Sequence, residues 1–379
     1  MGSLAPGVLP DAAAGPPAGT LVLDLGPDHP SGAGLLELAL WTEGDVVTAA
    51  EARVGALHRG AEKLFEVRDY RQIGMLADRH DWQAPFFGEL GVAMVCEQLL
   101  GLEVPPRAVW LRTLLAEHTR LLSHLGFLTH LSAGPGLAPD PRPVREQLRE
   151  QTRRLTGNRI HPMVARIGGL SVDADAGWLA AETALAEAVH DLAGQITAWL
   201  DTADPAARGV GVARVDAATV AGYGLSGPVA RASGVALDLR TVAPTLAYAE
   251  LGELIRGAPV TDGDAAARFR TLVAELADSA RLVAACAARL ADLPGPVEVR
   301  LGKILKLPEG EGYLALEAPL GVAGFFVVSR GEKTPWRFKM RTPSFSNAAA
   351  LERVLVGVPV TDLEVALASV GYVVGDIDR

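Results

Sequence analysis

The densest concentration of reactive side chains runs from Val54 to Trp82, and holds His58, Arg59, Glu62, Lys63, Arg68, Asp69, Arg71, Asp78, Arg79, His80 and Asp81. A charged run ordinarily marks a solvated face. Here, however, Leu57-His58-Arg59-Gly60 stands against glycine and apolar residues, and Asp78-Arg79-His80-Asp81-Trp82 runs into Ala84-Pro85-Phe86-Phe87. Charges set in apolar context must be partnered when they are buried, and partnered buried groups have shifted proton affinities suited to chemistry.

Other motifs point away from chemistry. Gly222-x-Gly224-x-x-Gly227 matches a dinucleotide fingerprint in letters only, because Pro228 follows directly and Asp238 comes too early for a ribose-binding acid. It reads as a glycine-rich turn. His-Glu-x-x-His, P-loop and Gly-x-Ser-x-Gly patterns are absent. The eight histidines do not pair at ligand spacing. His124 and His130, six apart, point to different faces of a helix. His118 sits alone on an apolar stripe and is expected to be a satisfied core histidine. Cys96 and Cys286 lie in apolar helical patterns, as buried inert thiols do, and cannot build a thiolate cluster by themselves. No metal site of the chain's own is expected.

Composition narrows the class further. Of 379 residues 49% are apolar, enough for one large or two modest packed domains. The formal net charge of −10, without a basic run, argues against nucleic acid as a partner. No apolar run approaches the ~20 residues of a membrane helix, so membrane contact would come through partners.

The positioning elements follow from periodicity. Leu21–Asp24, Leu35–Leu40 and Val46–Val54 read as strands, with a turn at Thr42–Asp45. Helices are expected over Gly88–Leu100, from Pro106 through Leu128, over Val144–Gly157, Trp178–Leu200 and Asp264–Leu293, from apolar residues spaced three and four apart. Prolines between Leu137 and Pro143 break the pattern. Val297–Leu301, Tyr313–Glu317, Phe325–Ser329 and Trp336–Arg341 read as strands. The reading is an α+β chain with a small N-terminal β region, a central bundle of long helices and a C-terminal α+β region. It divides into a disordered leader (1–20), a β region with a charged segment (21–87), a helical core (88–293) and the α+β region (294–379).

Several segments together resemble one family. Gly26-Pro27-Asp28-His29-Pro30, Leu57–Leu64, Asp78–Trp82, Leu115–Leu125, Gly157–His161 with Arg166–Gly169, Arg208–Val212, Ser226–Val235, Gly331–Arg337, Arg341–Phe345 and Gly375–Arg379 follow, in order, the pattern of the D subunit of NADH-quinone oxidoreductase, respiratory complex I. The collinearity covers nearly the whole chain after residue 20. The resemblance implies a fold like that of nickel-iron hydrogenase large subunits, with the metal-binding cysteine pairs missing and the vacated site used as a quinone cavity. It implies a neighbour, the B subunit of the complex, whose terminal iron–sulfur cluster feeds the quinone, with the C, H and I subunits in the same assembly. It implies NADH as the electron source of the whole complex, and a peripheral position on the cytoplasmic face of the cell membrane.

By position, the resemblance puts Arg59, Arg79 and His161 toward that cluster. Guanidiniums there would favour its reduced form, and the histidine could couple a proton to the electron. His29, His80, Asp81 and Trp82 become the quinone-side candidates. Three departures meet at the headgroup end. A second loop histidine of the family is Ala33 here, the quinone-binding tyrosine is Trp82, and the segment feeding the cavity is shortened and proline-rich (Ser132–Pro143). An indole can stack on a quinone and donate N–H but has no comparably acidic proton. The expected function is quinone-side electron transfer in a proton-translocating NADH-quinone oxidoreductase, with menaquinone as the quinone. The alternative is a non-redox structural paralogue with a degenerate quinone site.

Overall fold

The computed structural model describes residues 36–132, 138–204 and 209–379. The leader, the Leu21–Asp24 strand, His29, Ala33, residues 133–137 of the proline-rich segment and Arg208 therefore lie outside the described residues.

The fold is mixed helix and sheet, and the helical centre forms where the periodicity requires. Helices α1 (Ala61–Phe65) and α2 (Tyr70–Ala77) precede α3 (Pro85–Leu100) and α4 (Pro106–Leu128). Both long helices start on a proline, whose missing N–H costs nothing in a first turn. Then come α5 (Arg142–Thr156), α6 (Ala176–Thr202), four short helices α7–α10 between Ala217 and Leu251, and α11 (Ala265–Ala291). Asp175 and Asp264 cap α6 and α11 by accepting from the backbone N–H groups of Trp178 and Ala267. Helix α4 is enclosed on every side and packs with α6 and α11 at the heart of the larger core.

Two sheets flank this bundle. Strands β5 (Gly310–Ala318), β6 (Gly321–Ser329) and β7 (Arg337–Arg341) form an antiparallel meander. It lies on α3, where the Phe325 ring occupies the space a side chain at Gly91 would need. The hairpin of β1 (Glu37–Glu43) and β2 (Val46–Arg53) carries a bulge at Trp41/Thr42. It packs with α12 (Pro343–Val354), α13 (Leu363–Val370) and the last turn, α14 (Val374–Ile377), around a second core holding Val47, Leu351, Leu367 and Ile377. Backbone bonds from Val47 N–H to the Val358 carbonyl (3.0 Å) and from Val360 N–H to the Asp45 carbonyl (2.7 Å) fasten that hairpin to residues about three hundred positions on.

One expected strand is absent. Val297–Leu301 forms only an isolated bridge between Glu298 and Gly169. The partner it meets, the two-residue strands β3 (Ala165–Arg166) and β4 (Gly169–Leu170), is too short to extend a ladder. Of the 222–227 glycines, Gly222 lies in the last turn of α7 (Ala217–Tyr223), Gly224 ends that helix in the left-handed conformation and Gly227 opens α8 (Gly227–Ala232), with no strand before them. A side chain at Gly227 would meet the Gly321 backbone at 2.6 Å, so the glycine there serves a close approach of two chain segments rather than a phosphate.

Candidate functional site

Residues 78–84 form the turn between α2 and α3. The two helices meet so closely that a Cβ on Gly88 would lie 2.3 Å from the Ala77 carbonyl oxygen. This contact fixes the turn at its base. Its tip is held by Asp81, whose Oδ1 accepts from the backbone N–H groups of Gln83 and Ala84, both at 3.0 Å, just ahead of α3. Across the turn lies the end of the chain. The Trp82 ring is packed against Gly375, where an added Cβ would come within 2.2 Å of it and 2.7 Å of the His80 carbonyl oxygen. The Asp378 carboxylate accepts from the N–H groups of Gly55 and Leu57, each at 2.8 Å, which closes the tail on the loop that carries His58 and Arg59. Two segments over three hundred residues apart thus enclose one region.

Three consecutive residues organise its charges. His80 is buried, and Arg59, itself exposed, donates to its Nδ1 at 3.2 Å. Burial and then the Arg59 charge push this imidazole down to about 4. It is therefore neutral near pH 7, with its Nδ1 set between the Arg59 guanidinium at 3.2 Å and the Gly375 carbonyl oxygen at 3.4 Å. Asp78 is fully buried; its Oδ1 accepts from Arg79 Nε at 3.1 Å, and its Oδ2 faces His161 Nδ1 at the longer ion-pair distance of 3.5 Å. The Arg79 side chain is half exposed, and His161 is largely covered. Arg59, Arg79 and His161 are thus linked through residues 78, 80 and their own contacts, in one outward-facing group.

Behind them are carboxyls of a different kind. Glu89 on α3 is buried and accepts from Ala165 N–H at 2.9 Å. Burial, with Asp78 adding to it, pushes Glu89 up to about 8 against the pull of that hydrogen bond. Burial and the neighbouring Asp376 carboxylate push Asp81 up to about 8, and burial raises Asp376 to about 6.

Of the residues singled out from the sequence, Arg59, Arg79, His80, Asp81, Trp82 and His161 gather here, while His29 lies outside the described residues. Glu89 and Asp376 were not singled out. Glu89 looks like an isolated acid in an apolar helix, and that is the signal which could have found it, since such an acid must be neutral or partnered.

A second buried cluster had no sequence signal. Glu117 on α4 accepts from Arg120 (3.3 Å), Arg240 (3.2 Å), the Tyr248 hydroxyl (2.5 Å) and the Ser279 hydroxyl (2.6 Å). Arg231 donates to Glu275 and Glu317, each at 2.7 Å, and Arg240 to Asp238 at 2.7 Å. Burial acts to raise Glu117 and Glu275, but Arg120 and Arg240 for the first, and Arg231 and His124 for the second, outweigh it and hold both below the usual carboxylate range. A cavity of about 420 Å³ opens beside this network, lined by Arg240, Thr241, Pro244, Tyr248, Ala249 and Glu250 among others.

His118 is the satisfied core histidine its setting implied, between Glu182 (2.6 Å) and the Thr152 hydroxyl (2.8 Å). Cys96 and Cys286 are buried, and burial raises both thiols, so neither is a thiolate near pH 7. Among the described residues no group of three His, Cys, Asp or Glu could hold a metal ion, and no helix is long and apolar enough to cross a membrane.

Comparison with known proteins gives one consistent result. The family model for the respiratory-chain NADH dehydrogenase 49 kDa subunit matches residues 142–305 and 299–379. The chain is 47% identical over 367 residues to the NADH-quinone oxidoreductase D 1 subunit of Streptomyces coelicolor, covering 95% of each chain. It is 48% identical over 366 residues to the D 2 subunit of the same enzyme from Salinispora tropica, covering 95% of this chain and 93% of the relative. A more distant relative, the D 2 subunit of Chloroflexus aurantiacus, is 34% identical over 397 residues, covering 95% and 94%.

Proposed function

The chain belongs to the family of the 49 kDa subunit of respiratory-chain NADH dehydrogenase, and on that premise we propose that it is the quinone-side subunit of the peripheral arm of a proton-translocating NADH-quinone oxidoreductase. In this reading Arg59, Arg79 and His161 face the iron–sulfur cluster of a neighbouring B-type subunit, and His29, His80, Asp81 and Trp82 lie on the quinone side. The C, H and I subunits complete the surroundings. The protein sits at the cytoplasmic face of the cell membrane, held there through its partners, and NADH serves the complex as a whole.

The observation that carries the reading is the convergence on residues 78–80. Two exposed guanidiniums and a covered histidine converge on a buried carboxylate and a neutral imidazole. Outward-facing cations of this kind stabilise added negative charge on a redox centre docked against them. The hydrogenase-like arrangement without metal belongs to the same proposal, and the closure of the C-terminal turn on the 55–57 loop, Asp378 on Gly55 and Leu57, is compatible with it. The segments 21–87, 88–293 and 294–379 are then three parts of one subunit rather than separable modules.

Menaquinone is the quinone proposed, because its larger ring suits stacking on an indole at residue 82. The alternative, a structural paralogue that no longer reduces quinone, is favoured by the departures at the headgroup end: Ala33 and Trp82 offer neither the histidine nor the phenolic proton of the usual pattern, and the segment Ser132–Pro143 is shortened. The assay that decides is NADH-driven menaquinone reduction by membranes carrying the intact complex, alongside the double reversion Ala33→His, Trp82→Tyr. Activity in the unaltered protein, with copurification of a B-type iron–sulfur subunit, is the expected result. Silence in both forms would overturn the catalytic reading.

A further inference from the structure

All five lysines of the chain lie on one surface, and we infer that this surface docks a carboxylate-rich face of a neighbouring protein in the multi-subunit enzyme. The inference uses the family's multi-subunit character and not the quinone-side reading. The chain's thirty arginines are spread through the fold, and several are buried donors, as Arg112, Arg120, Arg240 and Arg268 are. The lysines are not so used.

Three segments build the surface. Lys63 stands on α1, Lys303 and Lys306 on the loop ahead of β5, Lys333 on the turn between β6 and β7, and Lys339 on β7. Phe65 and Phe338 meet edge to face at 5.6 Å and lock α1 to β7. Glu66 pairs with both Lys63 (2.6 Å) and Arg337 (2.9 Å), and Glu62 faces Lys339 at 3.4 Å. The loop is tied in at both ends. Arg71, in the first turn of α2, donates to the carbonyls of Gly302 (2.6 Å) and Lys303 (2.8 Å). The Ser329 hydroxyl donates to the Leu307 carbonyl at 3.1 Å, and Lys306 pairs with Glu332 at 3.5 Å.

Two features set this surface apart from an ordinary solvated face. The first is its charge. Residues 62–71, 302–307 and 330–339 carry nine cations and four acids, a net of +5 in a chain of net −10, so the remainder stands at −15. Lys63, Lys306 and Lys339 stay mostly exposed despite their acids, and Lys303 and Lys333 are exposed with no ion pair among the described residues. The second is apolar. Leu64, Val67, Ile304 and Trp336 are exposed among these charges, Ile304 by 72% and Trp336 by 55%. Single exposed apolar side chains are ordinary, but four within one charged surface mark an interaction site. The Arg330 guanidinium lies 3.2 Å from the centre of the Trp336 ring and holds the indole in place at the surface. A fixed tryptophan supplies a contact anchor, and lysines near it supply attraction at longer range.

The charges also select the occupant. A second copy cannot place the same surface here, because like charges would meet. A lipid surface attracts unopposed cations. Here Glu62, Glu66 and Glu332 stand among the lysines and would meet lipid phosphates. A protein can answer both signs, with carboxylates for the lysines and local cations for these three acids.

The test uses the purified, intact complex. A carbodiimide joins a lysine amine to a carboxylate where the two touch, and peptide mass spectrometry reads the link. Links are expected from Lys303, Lys306 or Lys333 to aspartates or glutamates of another polypeptide. Membranes carrying the triple variant Lys303→Glu, Lys306→Glu, Lys333→Glu are then washed in rising salt. Retention of the chain should fall roughly tenfold at a salt concentration that leaves the unaltered complex whole. Arginine at the same three positions keeps the charge, and should restore retention while abolishing the links. Trp336→Ser should lower retention at every salt concentration, because apolar contact is not screened. Absence of links, with all five lysines freely acetylated in the intact complex, would overturn the inference. Links only to a second copy of this chain would overturn the choice of partner. Protection from acetylation only in vesicles containing phosphatidylserine, again without links, would give the surface to lipid instead. Quinone reduction is not a readout, so each outcome leaves the proposed function where it stands.

Discussion

Glu117 is a carboxyl enclosed by helices and Asp81 a half-buried one in the turn before α3, and their surroundings treat them in opposite ways. Glu117 meets two guanidiniums and two hydroxyls and is held ionised. Asp81 meets two backbone amides and another carboxylate and is driven toward its neutral form. In the core network, cations are buried with their acids and charges are balanced within the protein. At the 78–84 turn Arg59 and Arg79 are exposed, and while buried Asp78 keeps Arg79 as its partner, the buried acids behind it, Glu89 and Asp376, make no ion pair with a guanidinium among the described residues. A buried ion-pair network serves the fold, whereas separated acids and cations leave protons available on one side and positive field on the other.

The largest effect expected from breaking this contrast lies in the core. Glu117→Ala leaves Arg120 and Arg240 enclosed without their shared acid, and loss of one partner from a buried ion pair costs about 3–5 kcal/mol. Denaturant unfolding should show it as a lower midpoint at unchanged slope, and assembly of the complex should suffer accordingly. A loss below about 1 kcal/mol would mean that the network is wetter than its enclosure implies.

Next is the closure itself. Gly375→Ala puts a methyl 2.2 Å from the Trp82 ring and 2.7 Å from the His80 carbonyl oxygen. The backbone oxygen cannot swing away as a side chain can, so the tail must shift, at a cost of about 1–3 kcal/mol typical of overpacking. Because the tail and residues 80–82 move together, quinone reduction should fall more than stability does. The same substitution at an unconfined glycine, Gly331→Ala for instance, meets nothing within 4 Å and tests only the backbone conformation there.

The pH response separates the two regions without a change of packing. Glu89 and Asp81 have folded-state values raised to about 8. Their contribution to stability is complete below the unfolded value near 4 and is lost as pH rises through about 8. His80 is lowered to about 4, so its contribution is present above the unfolded value near 6.5 and is lost as pH falls toward about 4. Glu89→Gln keeps an acceptor for Ala165 N–H and removes the titration. The fall in unfolding midpoint between about pH 6 and pH 9 should therefore be smaller in this variant than in the unaltered chain. Equal falls would place the alkaline sensitivity elsewhere.

The sequence made the two regions unequally legible. Helices α3, α4, α6 and α11 follow their apolar periods to within a few residues, because one spacing governs each of them. Arg59 and residues 78–82 could be read because charges stood out against glycine and aromatic neighbours. The core network could not. Its members come from α4, the 226–251 helices, α11 and β5, and a helix enclosed on all sides, as α4 is, gives its acids and arginines no solvent face from which they would depart. Asp376 was hidden for a related reason: the turn that its neighbour Gly375 packs against lies almost three hundred residues away, and only the folding of the tail onto that turn buries it. Val297–Leu301 was misread because its β-like composition reflects a single bridge to Gly169 and not a sheet.

The smallest structural effect, and the one that best isolates the outward cations, is Arg59→Met. Arg59 is exposed, and its described side-chain contact is the His80 imidazole, so its removal should alter stability by less than about 1 kcal/mol. Two consequences should nevertheless appear. His80 loses the positive charge that helps to hold it down, and its proton affinity should rise from about 4 toward the ordinary histidine range, though burial keeps it below. Nitrogen-resolved NMR of labelled histidine would register that rise, and would also show which ring nitrogen carries the proton once Arg59 no longer faces Nδ1. If Arg59 also faces the neighbouring iron–sulfur cluster, electron delivery to quinone should fall roughly 10- to 100-fold, as for loss of an outer-sphere partner of a metal centre. A histidine shift without a rate change would confine Arg59 to tuning His80. A rate change that persisted in Arg59→Lys would mean that planar donation matters there as well as charge, since lysine restores the charge alone.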